Sequence, residues 1–526
     1  MRLRRIRLIG AAIWVPLALG ACGLTRPPAQ ATAPIPAQFN APLPPTSAIS
    51  AALPHGGSVP ALADWFRQLD DPVLVEIIQS AEAASPNLAS AAARVAEARS
   101  TRIQAGAALL PGLDGSLSGS RGNSSSFGAS GASAASGSSA GAATSGGAAG
   151  AAPAIGSAGG GFGGAAPLTT LSAGLQSRWE IDLFGRLRAD RDAASQREAG
   201  ADAKWHEARV AIAAEATNAY FAERACRQQL DVAENDTRSR SETARLTGLS
   251  AGAGFTAPAD AALARAGASD SSARLTQQRA TCAVQRKALV QLTGIDELAL
   301  EQKLAAAPVQ RALPAISSIA SVPAQMLAQR PDVFAAEQAV AAASADVGSA
   351  EAERYPKLTL SGNISRLQIR ASGFRESFSS WSVGPLTLTV PLLDGGARVA
   401  NVDAAKARYE ESASLYRANV RQAVREVEEA LINLDGTAAR TGDADSAVQG
   451  YQTSFNATQA RYDSGLASLF ELEDSRRTLF AAQTARVSLQ RERTEAWVAL
   501  YRAMGGGWVR PDSPSSVAKT TATPTP

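Results

Sequence analysis

The chain repeats itself, and this constrains its fold more than any other feature. Asn87-Leu88 is followed by Pro111-Gly112-Leu113, and Asp332-Val333 by Pro356-Lys357-Leu358, each at an interval of 24 residues, which puts the two copies 245 apart. A second landmark, Asp182-Leu183-Phe184-Gly185-Arg186 against Pro391-Leu392-Leu393-Asp394-Gly395-Gly396, places Gly185 and Gly395 only 210 apart. The offsets differ by 35 residues, so the first copy carries that much extra sequence between Pro111 and Gly185. There, residues 118–166 are almost entirely Gly, Ser and Ala, the composition of an inserted loop rather than a domain.

Each copy opens with period-two patterning, the mark of half-buried strands. Leu358, Leu360 and Ile364 alternate with Lys357, Thr359, Ser361 and Asn363. Leu171, Ala173, Leu175, Trp179, Ile181 and Leu183 alternate with Ser172, Gln176, Arg178, Glu180 and Asp182. Leu386, Leu388 and Val390 continue the pattern, while Trp381 and Val383 fall on the other parity, so Gly384-Pro385 is expected to be a bulge or bend. The strand after Pro111 is the weakest of the four. Apolar-out, polar-in alternation is the pattern of membrane barrels, though a sandwich would also use it.

After Gly185 and Gly395 the period becomes helical. Tyr409, Ala413, Tyr416, Val420, Val424, Val427, Leu431 and Leu434 step by three or four, a coiled-coil seam with one stutter. From Gly395 to the turn Tyr462-Asp463-Ser464-Gly465 is 70 residues, roughly 100 Å of helix at 1.5 Å per residue. Breaks are expected around Asp435-Gly436 and Gly442-Asp443, and a return helix to about Ala503. The first copy turns over Gly248–Gly254, which reads as longer and looser, and returns to about Leu292. Cys226 and Cys282 have their midpoint at residue 254, inside that turn, so an antiparallel hairpin sets them opposite each other. A disulfide is expected; two unpaired helix cysteines is the alternative.

The amino terminus reads as a lipoprotein signal. Arg2, Arg4, Arg5 and Arg7 precede an apolar stretch from Leu8 to Leu19, and Leu19-Gly20-Ala21 leads directly to Cys22. Residues 1–21 are read as the signal, with diacylated Cys22 as the first mature residue and the covalent lipid as the only attached group. Gly23 stands where an Asp would favour retention at the inner membrane. Removing the four signal arginines from the net charge of +3 leaves −1, which does not suit a nucleic-acid binder. No apolar run near twenty residues follows Cys22, so any membrane crossing must use strands. With only His55 and His206 present, metal sites and triads are poorly supplied. Gly248-Leu249-Ser250-Ala251-Gly252, Gly137-Ser138-Ser139-Ala140-Gly141 and the glycines of 159–164 match catalytic or nucleotide motifs in letters only, without the strand–turn–helix setting those motifs need. No enzyme is expected.

Together these residues carry a resemblance: Trp65-Phe66 with Asp71-Pro72; Arg330-Pro331-Asp332-Val333 with Ala336-Glu337; Arg354-Tyr355-Pro356; Val390-Pro391 through Gly396; Arg461-Tyr462-Asp463-Ser464-Gly465; and Met504-Gly505-Gly506-Gly507-Trp508. The set resembles the TolC-like outer membrane factors, in the lipoprotein branch serving tripartite multidrug efflux. The resemblance implies a mainly α fold with a β-barrel section. Long antiparallel helical hairpins would form a tunnel, and four strands per chain would join a trimeric twelve-stranded barrel; symmetry alone also permits a dimer of eight strands.

On this reading residues 22–60 are a Pro/Ala-rich tether, 61–296 the first efflux repeat with its insertion, 297–325 a connector, 326–508 the second repeat and 509–526 a disordered tail. The implied partners are two further copies of the chain, a periplasmic adaptor, an inner-membrane pump and outer-membrane lipid, with no nucleic acid. The chain is expected to be lipid-anchored at the outer membrane, mostly in the periplasm, and to pass drugs or other small molecules. Type I protein secretion or metal efflux is an alternative cargo, and a lipid-anchored coiled-coil scaffold a remote one. The resemblance also places a periplasmic gate where the second hairpin turns: Tyr462 before Gly465, then Phe470, Asp474 and Arg477. Asp474 and Arg477 are three apart on one helix face, so three Asp474 carboxylates around an axis would form an anionic ring that Arg477 could tie shut.

Overall fold

The computed structural model describes residues 26–36, 40–41, 66–67, 69–123, 167–306, 329–371, 374–508 and 510–511. Cys22 and residues 124–166 lie outside this set. The elements in order are α1 (Pro72–Ala84), α2 (Pro86–Ala107), β1 (Gly112–Asn123), β2 (Pro167–Ile181), α3 (Arg186–Gly252), α4 (Pro258–Thr293), α5 (Glu297–Ala306), α6 (Pro331–Ala352), β3 (Lys357–Ala371), β4 (Phe374–Thr389), α7 (Ala397–Asp463) and α8 (Leu469–Ala503). The repeat is explicit: α2–β1–β2–α3–α4 recurs as α6–β3–β4–α7–α8. The described residues fall into two compact units, one holding Ile103–Arg191 and Gly348–Val402, the other Arg26–Arg102, Asp192–Val347 and Asp403 onward.

The first unit is an antiparallel sheet in the order β1-β2-β3-β4. Residues 118–123, assigned above to the insertion, belong to β1, pairing Ser118 with Ser172 through to Asn123 with Pro167. Serine fits there because the ladder is held by cross-strand hydroxyl pairs, Ser118 with Ser172 at 2.7 Å and Ser120 with Thr170 at 2.6 Å. The bend at Gly384-Pro385 appears as a register shift: Leu360 pairs Leu386 but Gly362 pairs Val383. β4 therefore carries one extra residue, which reconciles the two parities. Each long helix starts on an aspartate. Asp182 accepts from the Arg188 backbone N at 3.0 Å and Asp394 from that of Arg398 at 3.2 Å, partnering amides that have no intrahelical acceptor.

The second unit is helical, with its core where α1 lies among α3, α4, α5, α7 and α8. Phe66, Leu74, Ile77, Tyr220, Leu289, Leu300, Leu431, Trp497 and Tyr501 are buried there. Asp71 organises the entry. It caps α1 through the Leu74 amide at 3.3 Å and accepts from the Tyr220 hydroxyl at 2.6 Å and from Arg224 at 2.8 Å. Arg330 is the matching hub for α6, bonding Asp332, Glu426 and the Ala503 carbonyl. The chain after α8 knots on three positive-φ glycines, Gly505 to Gly507. A Cβ on Gly506 would collide with the Val210 side chain, and one on Gly505 with the Gln329 carbonyl, so only glycine fits.

Three expectations need correction. α7 runs unbroken from Ala397 to Asp463 through Gly436 and Gly442; a glycine costs a helix interior about 1 kcal/mol, small against a helix packed over most of its length. Residues 26–36 are strapped onto the helices, Ser344 and Tyr409 donating to the Pro27 and Pro28 carbonyls at 2.5 and 3.0 Å and Arg417 to that of Thr32 at 3.2 Å. The tail's first described residue is also held: Arg510 makes a two-bond fork with Glu337 at 2.8 and 2.9 Å. No described helix is long and apolar enough to cross a membrane.

Candidate functional site

Over most of its height the sheet has two chemically distinct faces, because directly opposed residues in an antiparallel pair share a face; toward the β3–β4 hairpin they mix, with Arg366, Gln368 and Arg370 on one and Leu367, Ile369 and Phe378 on the other. One face carries Leu113 and Leu117, Leu175, Trp179 and Ile181, Leu358, Leu360 and Ile364, and Trp381, Leu386 and Leu388. The other carries Ser116 and Ser118, Ser172, Gln176 and Arg178, Ser361, Asn363 and Ser365, and Ser380 and Ser382. Asn363 accepts from Ser382 at 2.7 Å, which extends the hydroxyl ladder across the polar face. A sheet built this way presents apolar side chains to lipid and polar ones to a water-filled lumen.

The hairpin tips are built alike. In the second, Gly465 (φ +74°) donates to Tyr462 O at 2.9 Å and Leu466 to Arg461 O at 2.7 Å. In the first, Gly254 (φ +79°) donates to Ala251 O at 3.1 Å and Phe255 to Ser250 O at 2.9 Å. Both are Schellman closures with glycine in the left-handed position. The first turn is therefore not the longer and looser one: Gly248 and Gly252 lie inside α3, and the linking segments, 253–257 and 464–468, have equal length. Ser468 then caps α8 through the Glu471 amide at 3.2 Å, with Glu471 three residues on, as in a capping box.

The residues expected at the gate sit around this turn in two settings. Tyr462 meets the first hairpin, its hydroxyl 3.0 Å from that of Thr247. Phe470 is 73% exposed. Asp474 and Arg477 pair with each other at 2.5 Å on the surface of α8. One residue earlier, at the same spacing, lies a network that the sequence reading missed. Glu473 binds Arg476 at 2.6 Å and also Arg240, which itself pairs with Asp236 at 3.0 Å. Arg476, nearly fully buried, also donates to Thr243 at 3.1 Å and lies over the Phe455 ring. Burial pushes the Arg476 guanidinium below its ordinary range. These contacts join α3, α7 and α8 just behind the tip. The Asp236–Arg240 spacing of four and the Glu473–Arg476 spacing of three were the signals in the sequence.

Cys226 and Cys282 form a disulfide, with Cα atoms 5.6 Å apart, that bridges α3 and α4. No cluster of metal-ligating side chains occurs among the described residues.

An apolar-faced sheet whose strands lead into long paired helices is the plan of an outer-membrane duct, and comparison with known proteins agrees. The model of the outer membrane efflux protein family matches residues 77–295 and 322–506. The chain belongs to that family. It is 31% identical to outer membrane protein OprJ of Pseudomonas aeruginosa over 333 residues, covering 63% of this chain and 68% of OprJ. It is 28% identical to the pyoverdine export outer membrane protein OpmQ of the same species over 519 residues, covering 97% and 98%. Its fold matches the CmeC outer membrane channel of Campylobacter jejuni with a TM-score of 0.73 at 21% identity, covering 93% of this chain and 97% of that one. The protein is an outer-membrane efflux channel, mainly helical with a four-stranded sheet.

Proposed function

We propose that the chain is the lipid-anchored exit duct of a tripartite pump, assembled as a trimer and gated at the tip of its second hairpin. The single observation that carries this is the two-faced sheet with both edges unpaired among the described residues: β1 and β4 each have one neighbour there. A membrane sheet with open edges leaves backbone groups unsatisfied in lipid, so β4 of one copy must pair with β1 of the next. Three copies give a closed barrel of the ordinary kind. Cys22, diacylated, tethers each chain to the outer membrane. A periplasmic adaptor and an inner-membrane pump supply contact and energy at the tip. The duct performs no catalysis and needs no cofactor; drugs and other small molecules pass along its polar face.

In the closed state Tyr462, Phe470, Asp474 and Arg477 line the constriction. Asp474 carboxylates around the threefold axis form an anionic ring, with Arg477 close enough to neutralise it, and Phe470 narrows the bore. Opening moves α7 and α8, hinged at Gly465, away from Thr247. The test is single-channel conductance in planar bilayers, wild type against Asp474→Ala. A small, mostly closed, cation-preferring conductance that rises several-fold in the variant supports pore and gate together. An unchanged pore discards the gate, and no conductance from folded trimer discards the duct.

A further inference from the structure

On the face that carries the leucines, Ile364 and Trp381 are followed toward the hairpin end by the polar pairs Arg366–Ser379 and Gln368–Ser377, and then by a row of arginines. At the hairpin end of the strands the register places Arg121, Thr169, Arg370 and Arg375 side by side across β1, β2, β3 and β4, all on the face that carries the leucines. Arg370 stands directly opposite Arg375. Residues so placed have Cβ atoms about 5 Å apart, and like charges there destabilise the pairing. No acidic residue occupies the row. Arg370 donates to Gln368 at 3.0 Å; Arg121 and Arg375 have no ion-pair partner among the described residues. Three cations in one row, with the nearest carboxylate, Glu376, on the opposite face, call for an anion from outside the chain.

The position of the row fits a membrane surface. From Ile181 to Leu171 this face spans ten residue steps along β2, which at about 3.3 Å each and a tilt near 40° is a rise of roughly 25 Å, while on β3 and β4 its apolar residues stop at Ile364 and Trp381. Thr169 lies one pair beyond, at headgroup level. Below the row a shallow groove of about 570 Å³ opens on the same face, floored by Gly115 and Ala173 and walled by Leu117, Leu175 and Ile364. Arg366 lines the groove on the side toward the row. A guanidinium within an apolar band is stable only if its stem lets the charge reach the interface or a counter-charge reaches it.

We propose that this face binds a phosphate-bearing lipid of the surrounding membrane: Arg121, Arg370 and Arg375 hold the headgroup phosphate, Arg366 a second oxygen of the headgroup, and the groove an acyl chain. Guanidinium forks match phosphate oxygens, and the groove walled by Leu117, Leu175 and Ile364 selects a lipid over a free anion. This holds only if the apolar face meets lipid, as the outer-membrane duct requires.

The test uses full-length protein in phosphatidylcholine vesicles containing a small fraction of brominated phosphatidic acid or brominated phosphatidylcholine. The readout is quenching of Trp381, which sits on the same face opposite Ile364, with Trp381→Phe subtracted to remove the other tryptophans. At roughly fivefold per arginine, wild type is expected to prefer phosphatidic acid by tenfold or more. Arg370→Gln/Arg375→Gln is expected to lower that preference at least tenfold, while quenching by brominated phosphatidylcholine stays at the wild-type level and shows normal insertion. Equal affinity of wild type for both lipids, full preference retained in the double variant, or loss of preference on adding millimolar inorganic phosphate each overturns the lipid site and leaves the membrane reading standing. Trp381 quenched by neither lipid overturns the membrane reading itself.

Discussion

The two helical hairpins share one plan and differ in what ties them together. α3 and α7 are each 67 residues long, and α4 and α8 are 36 and 35. Both turn on a Schellman glycine, Gly254 and Gly465, 211 residues apart. Yet only the first hairpin is bolted, by Cys226–Cys282. At the positions 211 residues later stand Thr437 and Arg493, and the nearby ties are the ion pairs Arg440–Glu492 and Arg486–Asp445, each at 2.5 Å and about half exposed. Such pairs contribute about 1 kcal/mol at most, while a disulfide contributes about 2–4 kcal/mol. Duplication preserved the geometry of the hairpin and left its stiffness free to diverge, so the unbolted copy is the one suited to move.

The largest expected effect comes from cutting the network through which the hairpins hold each other. Glu473→Gln leaves Arg476 without its carboxylate deep in the tip and removes the link to Arg240. Breaking a buried pair costs about 3–5 kcal/mol, and urea midpoints together with protease cleavage near 464–468 will report it. If cleavage stays at the wild-type rate, the second hairpin is not held by the first.

Next in size is Cys226→Ser/Cys282→Ser. The bond closes a separation of 56 residues, and its loss is expected to lower stability by about 2–4 kcal/mol. Limited proteolysis should then open the first turn near Phe255 while the second turn cleaves as before. Equal loosening of both turns would show that the hairpins are not independently tied.

The smallest effect concerns pH. His206 on α3 packs edge-on against Trp205, and burial pushes its imidazole below the ordinary value, with Asp202 opposing and Arg209 adding to the shift. The neutral ring is therefore the one the fold favours. Its contribution is fully present above the usual histidine value of about 6.5 and declines as pH falls through the lower folded-state value. The counterpart 211 residues on is Arg417, so the second copy has no imidazole at that position. Melting of wild type should fall more steeply on acidification from pH 7.5 to 5 than that of His206→Gln, and parallel curves would remove the assignment.

Much of the fold was legible because its periods are short-range. Leu358-Thr359-Leu360 announces a strand without reference to any other residue, and Tyr409 to Leu434 announces a helix seam. The disulfide was legible because two cysteines equidistant from a turn must meet in a hairpin. The tip of the second hairpin was legible only in part. Glu473 with Arg476 and Asp474 with Arg477 have identical spacing, and moving one residue along a helix rotates a side chain by about 100°. That rotation separates a buried hub from a surface pair, and nothing local in the sequence says which pair faces inward. The glycines misled in the same way. Gly248, Gly252, Gly436 and Gly442 read as breaks by propensity, but a modest local cost yields to packing along a long helix.

By itself, then, the sequence determined the duplication, the alternation that makes a two-faced sheet, the length of the hairpins and the pairing of Cys226 with Cys282, since each depends on spacing within a few dozen residues or on arithmetic between two copies. Only the tertiary structure decided that Arg476 is buried and Arg477 exposed, that both turns have the same length, that residues 26–36 lie against the helices, and that Arg121, Arg370 and Arg375 share one row. Those outcomes depend on contacts between residues far apart in the chain, Arg240 with Glu473 at a separation of 233 among them. Burial and strand register are collective properties of packed elements and are not written at any single position.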